Sequence, residues 1–561
     1  MTAHRPLSLT LAHLNDTHSH FDASRLKLTL PGLGELFAEC GGYARLCSAV
    51  DRAKSDAVEE NRHLLLVHAG DCFQGSLYFA HFKGKMNAVL NNQLDLDAMA
   101  LGNHEFDLGN PPLSAFLDHI QFPMLSANMD LSQEESSKEN PMRGKPGLYD
   151  FDKDAGHGRY LVRHLGGEPV ALFGLSPDNM PELACADPDT LFLDCLTTAR
   201  DTVAAIRREG INKIILLSHL GYDRDLMLAE QLDQVAAIIG GHTHTLQGHF
   251  DNLGLGGRDH YGVVINGTAV VQAGCNALFL GQLKLDLNAD GSLDRVDGGN
   301  LLLLGHSLSR DSGGQTPLTP PEDEQAWAYL EAQDNLWQVT PDPKVHRLIE
   351  EHYRPKILEF ERQKIALAQR DLRHIRIPDD KGGSEVAPLL AHAMRWQARE
   401  LGLETDFGLH NAGGTRSSIP QGEVSAGWIA GTLAPFAIGV ERYRLTGQEL
   451  ADTLESAINN ATNNGVVGTG TGSYPYAAGL RFHYQADAPM GERIRDLQLD
   501  RDGQWQPVQP DAFYYGVSTG YTAAGKEGYY PLARLPQPPQ ELGLTIAEAV
   551  IAHWRQLKVL G

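Results

Sequence analysis

The chain reads as an α/β protein built from two domains, and three observations lead there. It has 561 residues, more than one hydrophobic core supports, because cores stop growing at roughly 250–300 residues. Its first half alternates short apolar runs with helix-like stretches, the pattern of strands buried under helices. After Leu304 the character changes: residues 305–324 are polar and rich in Ser, Gly, Pro and Asp, which marks a loop between larger bodies.

Taken in order, the elements begin with Leu7, Leu9 and Leu11, whose alternation predicts a first strand. Residues 63–68, 170–174, 213–217 and 236–239 are continuous apolar runs ending in polar residues, as strands covered on both faces should be. The segment from Asp286 to Asp294 imitates the start of a calcium loop, with Asp297 where a bidentate Glu would stand. Leu283 and Leu285 alternate before it and Leu301 and Leu303 after it, so a β-hairpin turn is expected instead. Val345, Leu348, Ile349, Tyr353, Ile357, Leu358 and Ile365 give a helical pattern from Pro343 to about Gln369. These features predict a domain over 1–342, a linking helix over 343–365 and a second domain over 366–561. Gly468-Thr-Gly-Thr-Gly472 lacks the Gly-Lys-Ser/Thr ending of a phosphate loop and reads as a flexible linker.

Charge and composition narrow the partners. Apolar content of 42% and charged content of 21% are ordinary for a globular chain. A net charge of −24 argues against binding a nucleic-acid polymer or an anionic membrane, and no apolar run is long enough to span one. The first residues lack the basic and apolar regions of a signal peptide, so a cytoplasmic protein is expected, or a periplasmic or secreted one if a leader has been removed. None of the six cysteines, at 40, 47, 72, 185, 195 and 275, forms a Cys-x-x-Cys pair, which points to reduced thiols rather than a thiolate zinc site. A small-molecule substrate and a monomer or small homo-oligomer are expected.

Five segments place Asp, Asn or His just after an apolar run: Asn15-Asp16-Thr-His18, Gly70-Asp71, Gly102-Asn103-His104-Glu-Phe-Asp107, Ser218-His219, and Gly241-His242-Thr-His244. Strand ends converge on one edge of a sheet, so residues far apart in sequence can meet there. Imidazole, carboxylate and amide oxygen are donors for Mn, Zn, Fe or Co.

This order of motifs resembles the calcineurin-like metallophosphoesterases. The resemblance implies that Asp16, His18 and His244 hold one divalent cation, that Asn103, His219 and His242 hold a second, and that Asp71 bridges them. Mn, Zn, Co, Fe or Mg could serve. It further implies that His104 stabilises charge or protonates the leaving oxygen as an imidazolium, oriented by Asp107. In the second half, His410-Asn411-Ala-Gly-Gly-Thr-Arg416, Leu433-Ala-Pro-Phe436, Gly472-Ser-Tyr-Pro-Tyr and Gly525-Lys-Glu-Gly-Tyr529 are similar to the C-terminal domain of the 5′-nucleotidase and UDP-sugar hydrolase family. That family implies a β-sandwich flanked by helices, joined by a long helix to a smaller α/β domain. It assigns substrate binding to Asn411, to Arg416 for phosphate, and to Phe436 and Tyr529 as the two faces of a base sandwich. A further phosphate-binding Arg matches Arg376, with Arg373 as the alternative. The motifs depart from the family in Thr415, where Ile is usual, and in Gly525-Lys-Glu-Gly, where Gly-Gly-Asp-Gly is usual.

The expected activity is thus metal-dependent hydrolysis of a small nucleotide, chiefly of a 5′-monophosphate and also of UDP-sugars. Alternatives are a 2′,3′-cyclic-nucleotide phosphodiesterase, a dinucleotide pyrophosphatase, a sulfur-ester hydrolase, or a non-catalytic nucleotide-binding protein. The complete ligand set argues against the last.

Overall fold

The computed structural model describes residues 4–561 except Ala437 and Asp502. The backbone divides into two units, one ending at Arg354 and the other starting at Pro355.

In the first unit, β1 (Leu7–Leu14), β2 (His63–His68) and β3 (Ala98–Ala100) run parallel at the centre of a ten-stranded sheet. A second, six-stranded sheet has β4 (Glu168–Leu175), β5 (Lys213–Ser218), β6 (Ala237–Ile239) and β7 (Thr268–Val271) parallel in its interior. The chain then returns to the first sheet through β8 (Phe279–Leu287) and β9 (Leu293–Ser309), with β8 antiparallel to β1. Leu9, Leu11 and Val67 of one sheet share a core with Leu172, Leu217 and Val271 of the other. The outer side of the second sheet, at Phe173, Leu216 and Ile238, packs with residues of the helices Cys195–Arg208 and Tyr222–Gln231. This is a β-sandwich flanked by helices. Because the inner strands are covered on both faces, Thr10 and Ala12 are as buried as Leu9 and Leu11, with which they alternate.

The turn between β8 and β9 closes with Asn288 N–H on the Ser292 carbonyl at 2.9 Å. Asp290, the acid that imitates a calcium ligand, instead accepts the backbone N–H and hydroxyl of Ser292 at 3.0 and 2.6 Å. The hairpin expectation describes this segment.

The helical run after Pro343 is shorter than its apolar period predicts. It starts where Asp342 caps the N–H groups of Lys344 and Val345, passes through a wider π turn at Ile349–Tyr353, and ends at Arg362. Lys364–Ala368, expected to be helical, is instead a strand, β10, paired with Gly422–Ser425 and with Val559–Leu560. The apolar residues at its end satisfy the strand period as well, and its partners lie far along the chain, where local periodicity cannot see them.

The second unit has a five-stranded sheet. Its strands are β11 (Phe407–Asn411), β12 (Gly439–Thr446), β13 (Pro475–Ala478), β14 (Phe513–Thr519) and β15 (Gln540–Thr545), in the order β13-β11-β14-β12-β15. Thr446 with Glu449, and Thr545 with Glu548, form capping boxes that start the helices Gly447–Thr462 and Ile546–Leu557 directly from strand ends. The glycine-rich segment 468–472 is not a free linker: Asn460 Nδ2 donates to Thr469 Oγ1 and Ser473 Oγ, both at 2.9 Å.

Candidate functional site

The C-terminal ends of β1, β2, β3, β5 and β6 each deliver one of the five motifs. Asp16, His18 and His244 bring three donor atoms within 4.8 Å of one another, and so do Asp71, His219 and His242. The two groups adjoin, with His219 Nε2 at 3.9 Å from Asp16 Oδ1. Asn103 joins the second group, its Oδ1 lying 2.8 Å from His242 Nδ1. Backbone bonds lace the loops together: Asp16 N–H to the Gly70 carbonyl at 2.9 Å and His18 N–H to the Asp71 carbonyl at 3.1 Å. Asp16, His18, Asp71, His242 and His244 all sit at positive φ, between 48° and 76°. Such conformations cost on the order of 1–3 kcal/mol each and persist where the surroundings impose them. Gly102 has no alternative, since a Cβ there would lie 2.1 Å from Asp71 Oδ1.

The donors fit divalent cations. His18 Nδ1 and His219 Nδ1 lie 3.1 and 2.7 Å from the carbonyls of Phe73 and Ala69. A carbonyl only accepts, so these nitrogens carry the hydrogens and a neutral ring presents a bare Nε2. His219 Nε2 is fully buried, lies 2.9 Å from Asp71 Oδ2, and yet is not in hydrogen-bonding geometry with any of the described residues. His18 Nε2 faces His244 Nε2 at 2.9 Å. Nitrogens and carboxylates converging in this way call for positive charge. Burial works against a charged His219, but Asp71 more than offsets it and raises the pKa to about 9.

His104 stands beside this set. Its Nδ1 is 2.6 Å from Asp107 Oδ2, its Nε2 is 4.0 Å from Asp71 Oδ2, and its backbone N–H donates to Asp71 Oδ1 at 2.9 Å. Burial alone would lower its pKa; the carboxylates of Asp107 and Asp71 raise it to about 10. The neighbouring Glu105 was not singled out from sequence. Its buried carboxylate accepts the backbone N–H groups of Asp71, Cys72, Phe73 and Gly102 at 2.7–3.2 Å, tying the Asp71 and Asn103 loops together. The only signal for it is its place in Gly-Asn-His-Glu.

In the second unit, Asn411 ends β11 and is buried, with its Oδ1 3.5 Å from Thr522 Oγ1. Arg416 is exposed; its guanidinium donates to the Gly413 carbonyl at 3.2 Å and lies 5.7 Å from the centre of the Phe436 ring. Phe436 is 40% exposed. Of the two arginines upstream, Arg373 is tied to Asp379 at 2.6 Å, while Arg376 is exposed and, with Arg416, adds to the burial that lowers the pKa of the half-buried His374. Tyr529 requires a correction. It is 1% exposed and packs with Leu450, Leu454 and Leu532, so it is a core residue and offers no face to a base. Tyr521, half-buried just past the end of β14, is the aromatic available there; it adjoins Thr522, which reaches Asn411, and bonds to Glu527. The signal missed was Thr519-Gly520-Tyr521, a strand end followed at once by an aromatic.

Comparison with known proteins agrees with this geometry. Residues 9–246 match the model of the calcineurin-like phosphoesterases, and residues 364–534 match that of the 5′-nucleotidase C-terminal domain. The chain is 30% identical to a probable 5′-nucleotidase of Treponema pallidum (strain Nichols), covering 98% of this chain and 92% of the relative. It is 28% identical to the NAD 5′-nucleotidase of Haemophilus influenzae, covering 97% and 88%. Among solved structures it is similar to a 5′-nucleotidase precursor from Thermus thermophilus, with 30% identity, a TM-score of 0.65, and coverage of 99% and 97%.

Proposed function

Because the chain belongs to the 5′-nucleotidase family of calcineurin-like phosphoesterases, we propose that it hydrolyses the 5′-phosphate of a nucleoside monophosphate using two divalent cations. The observation that carries this is the pair of adjoining donor groups at the strand ends, with His104 set against Asp71. Asp16, His18 and His244 would hold one ion; Asn103, His219 and His242 the other; Asp71 both. A donor set this rich in imidazole suits Mn, Co, Zn or Fe. Two such ions, when bound, lower the pKa of a water and clamp the phosphoryl group for in-line attack.

The chain's own groups do the rest. Asp107 fixes the ring of His104, whose Nε2–H is directed to the Asp71 side, where it meets charge growing on the phosphoryl oxygens or protonates the departing oxygen. Arg416 and Arg376 offer exposed positive charge in a chain that is otherwise acidic. Phe436 and Tyr521 stack on the base, and Asn411 offers it a buried amide. Hydrolysis should vanish on chelation and return with Mn²⁺ or Co²⁺. A panel of AMP, UDP-glucose, 2′,3′-cyclic AMP and NAD should show AMP as the best substrate. Full activity after verified metal removal, or no turnover of any nucleotide, would overturn the reading.

A further inference from the structure

The imidazoles of the donor groups are not anchored alike. His18 and His219 are each fixed by a backbone carbonyl, which leaves Nε2 facing inward. His244 also turns Nε2 inward, 2.9 Å from His18 Nε2 and 3.4 Å from Asp16 Oδ1. Besides His18 and Asp16, its side chain adjoins the thiol of Cys275. The His244 side chain is 44% exposed, against 8% for His18 and 0% for His219, so packing constrains it least.

Register places the thiol there. An antiparallel bridge joins Leu246 to Ala273. One step along, Gly274 N–H donates to the Thr245 carbonyl at 3.0 Å. One step further along both segments come Cys275 and His244, whose side chains adjoin. The segment is pinned on its other side as well. Asn276 N–H donates to the Asp16 carbonyl at 2.8 Å, and Asn15 Nδ2 to the Gly274 carbonyl at 2.7 Å. Cys275 is therefore held between the segments that carry Asp16 and His244, as a free, half-buried thiol.

We propose that Cys275 is the positioning residue for His244: its sulfur engages the Nδ1 side of the ring and so keeps Nε2 on the Asp16–His18 centre. A thiol is a weaker hydrogen-bond partner than a carbonyl, so the cation at this centre is the more readily exchanged of the two. The inference rests on the metal-centre reading above, but its test does not need turnover. Outer partners of ligand histidines typically change metal affinity about 10–100-fold when removed.

The full chain, and its Cys275→Ala and Cys275→Ser variants, would be loaded with Co²⁺, and release of each ion followed against a competing chelator. The wild-type chain should release one ion ahead of the other. Cys275→Ala should weaken retention of that ion about 10-fold or more and leave the other unchanged. Cys275→Ser, whose hydroxyl can take the same bond, should restore it. The proposal is overturned if wild type releases both ions together, if Cys275→Ala holds both ions as wild type does or loses both equally, or if Ser is as weak as Ala. A thiolate-to-cobalt charge-transfer band in wild type, lost in Cys275→Ala, would also overturn it, by making the sulfur itself a ligand. A wild-type chain that takes up no Co²⁺ would remove the metal-centre reading and this proposal with it.

Discussion

Glu105 and His104 are neighbours with different work, and substitution should separate them. The Glu105 carboxylate accepts four backbone N–H groups around the Asp71 and Asn103 loops. Each buried donor left without a partner costs about 1–3 kcal/mol. Glu105→Ala should therefore destabilise the first unit by roughly 3 kcal/mol or more and lower metal content, since the loops it ties carry the proposed ligands. His104→Ala should retain both metals and the unfolding midpoint but lose roughly 10²–10⁴ in kcat. Elemental analysis and urea unfolding of the two variants distinguish the roles. Metal loss in His104→Ala would make it a ligand or a support, not a participant in the chemistry.

At the scale of elements, the strands of the sandwich were legible because burial on both faces leaves a continuous apolar run. The end of the helix at Arg362 was not, because the pairing of Lys364–Ala368 with Gly422–Ser425 and Val559–Leu560 is non-local. The sheet of the second unit carries a pairing no pattern would favour. Glu441 on β12 faces Glu541 on β15, and like charges in that position repel. Burial, with Glu541 adding to it, raises the Glu441 pKa to about 7 from an ordinary 4.5. The folded state thus holds a proton that the unfolded chain gives up. The destabilisation is absent below the unfolded value, grows as pH rises from there through about 7, and is constant above, amounting to no more than about 3 kcal/mol. Glu441→Gln should raise the urea midpoint at about pH 8 and change it much less at about pH 5. An equal effect at both pH values would show that the charge is not what matters.

For the whole molecule, the division of labour between the two units is open to a direct measurement. Phe436→Ala and Tyr521→Ala should reduce kcat/KM for AMP by roughly 1–3 kcal/mol, mostly through KM, the range for a base stacked on an aromatic. Hydrolysis of p-nitrophenyl phosphate, which has no base, should fall much less. Tyr529→Ala should instead lower stability by about 3–5 kcal/mol, the cost of emptying a large core site, while the surviving folded protein keeps its preference for AMP. Equal losses on both substrates for Tyr521→Ala would return that residue to a structural role. On the proposed reading, a net charge of −24 also means that attraction of an anionic nucleotide must be local. Among the described residues no helix is long and apolar enough to cross a membrane.

The sequence by itself determined which side chains its short motifs bring to one sheet edge. Asp16, His18, Asp71, Asn103, His219, His242 and His244 could be picked out because each follows a strand, and strand ends at one sheet edge must converge. It also determined the hairpin at residues 288–292, where alternation on both sides leaves one solution. Only the tertiary structure decided what depends on partners distant in the chain. Tyr529 and Tyr521 look equivalent in sequence, each beside glycine, yet one fills the core against Leu450 and Leu454 and the other stays half-open at a strand end. Glu105 became a clamp, and Cys275 the neighbour of His244, through backbone groups and a bridge between segments that no local pattern connects. Local periodicity reports which face of an element is apolar; it carries no information about which element will cover that face.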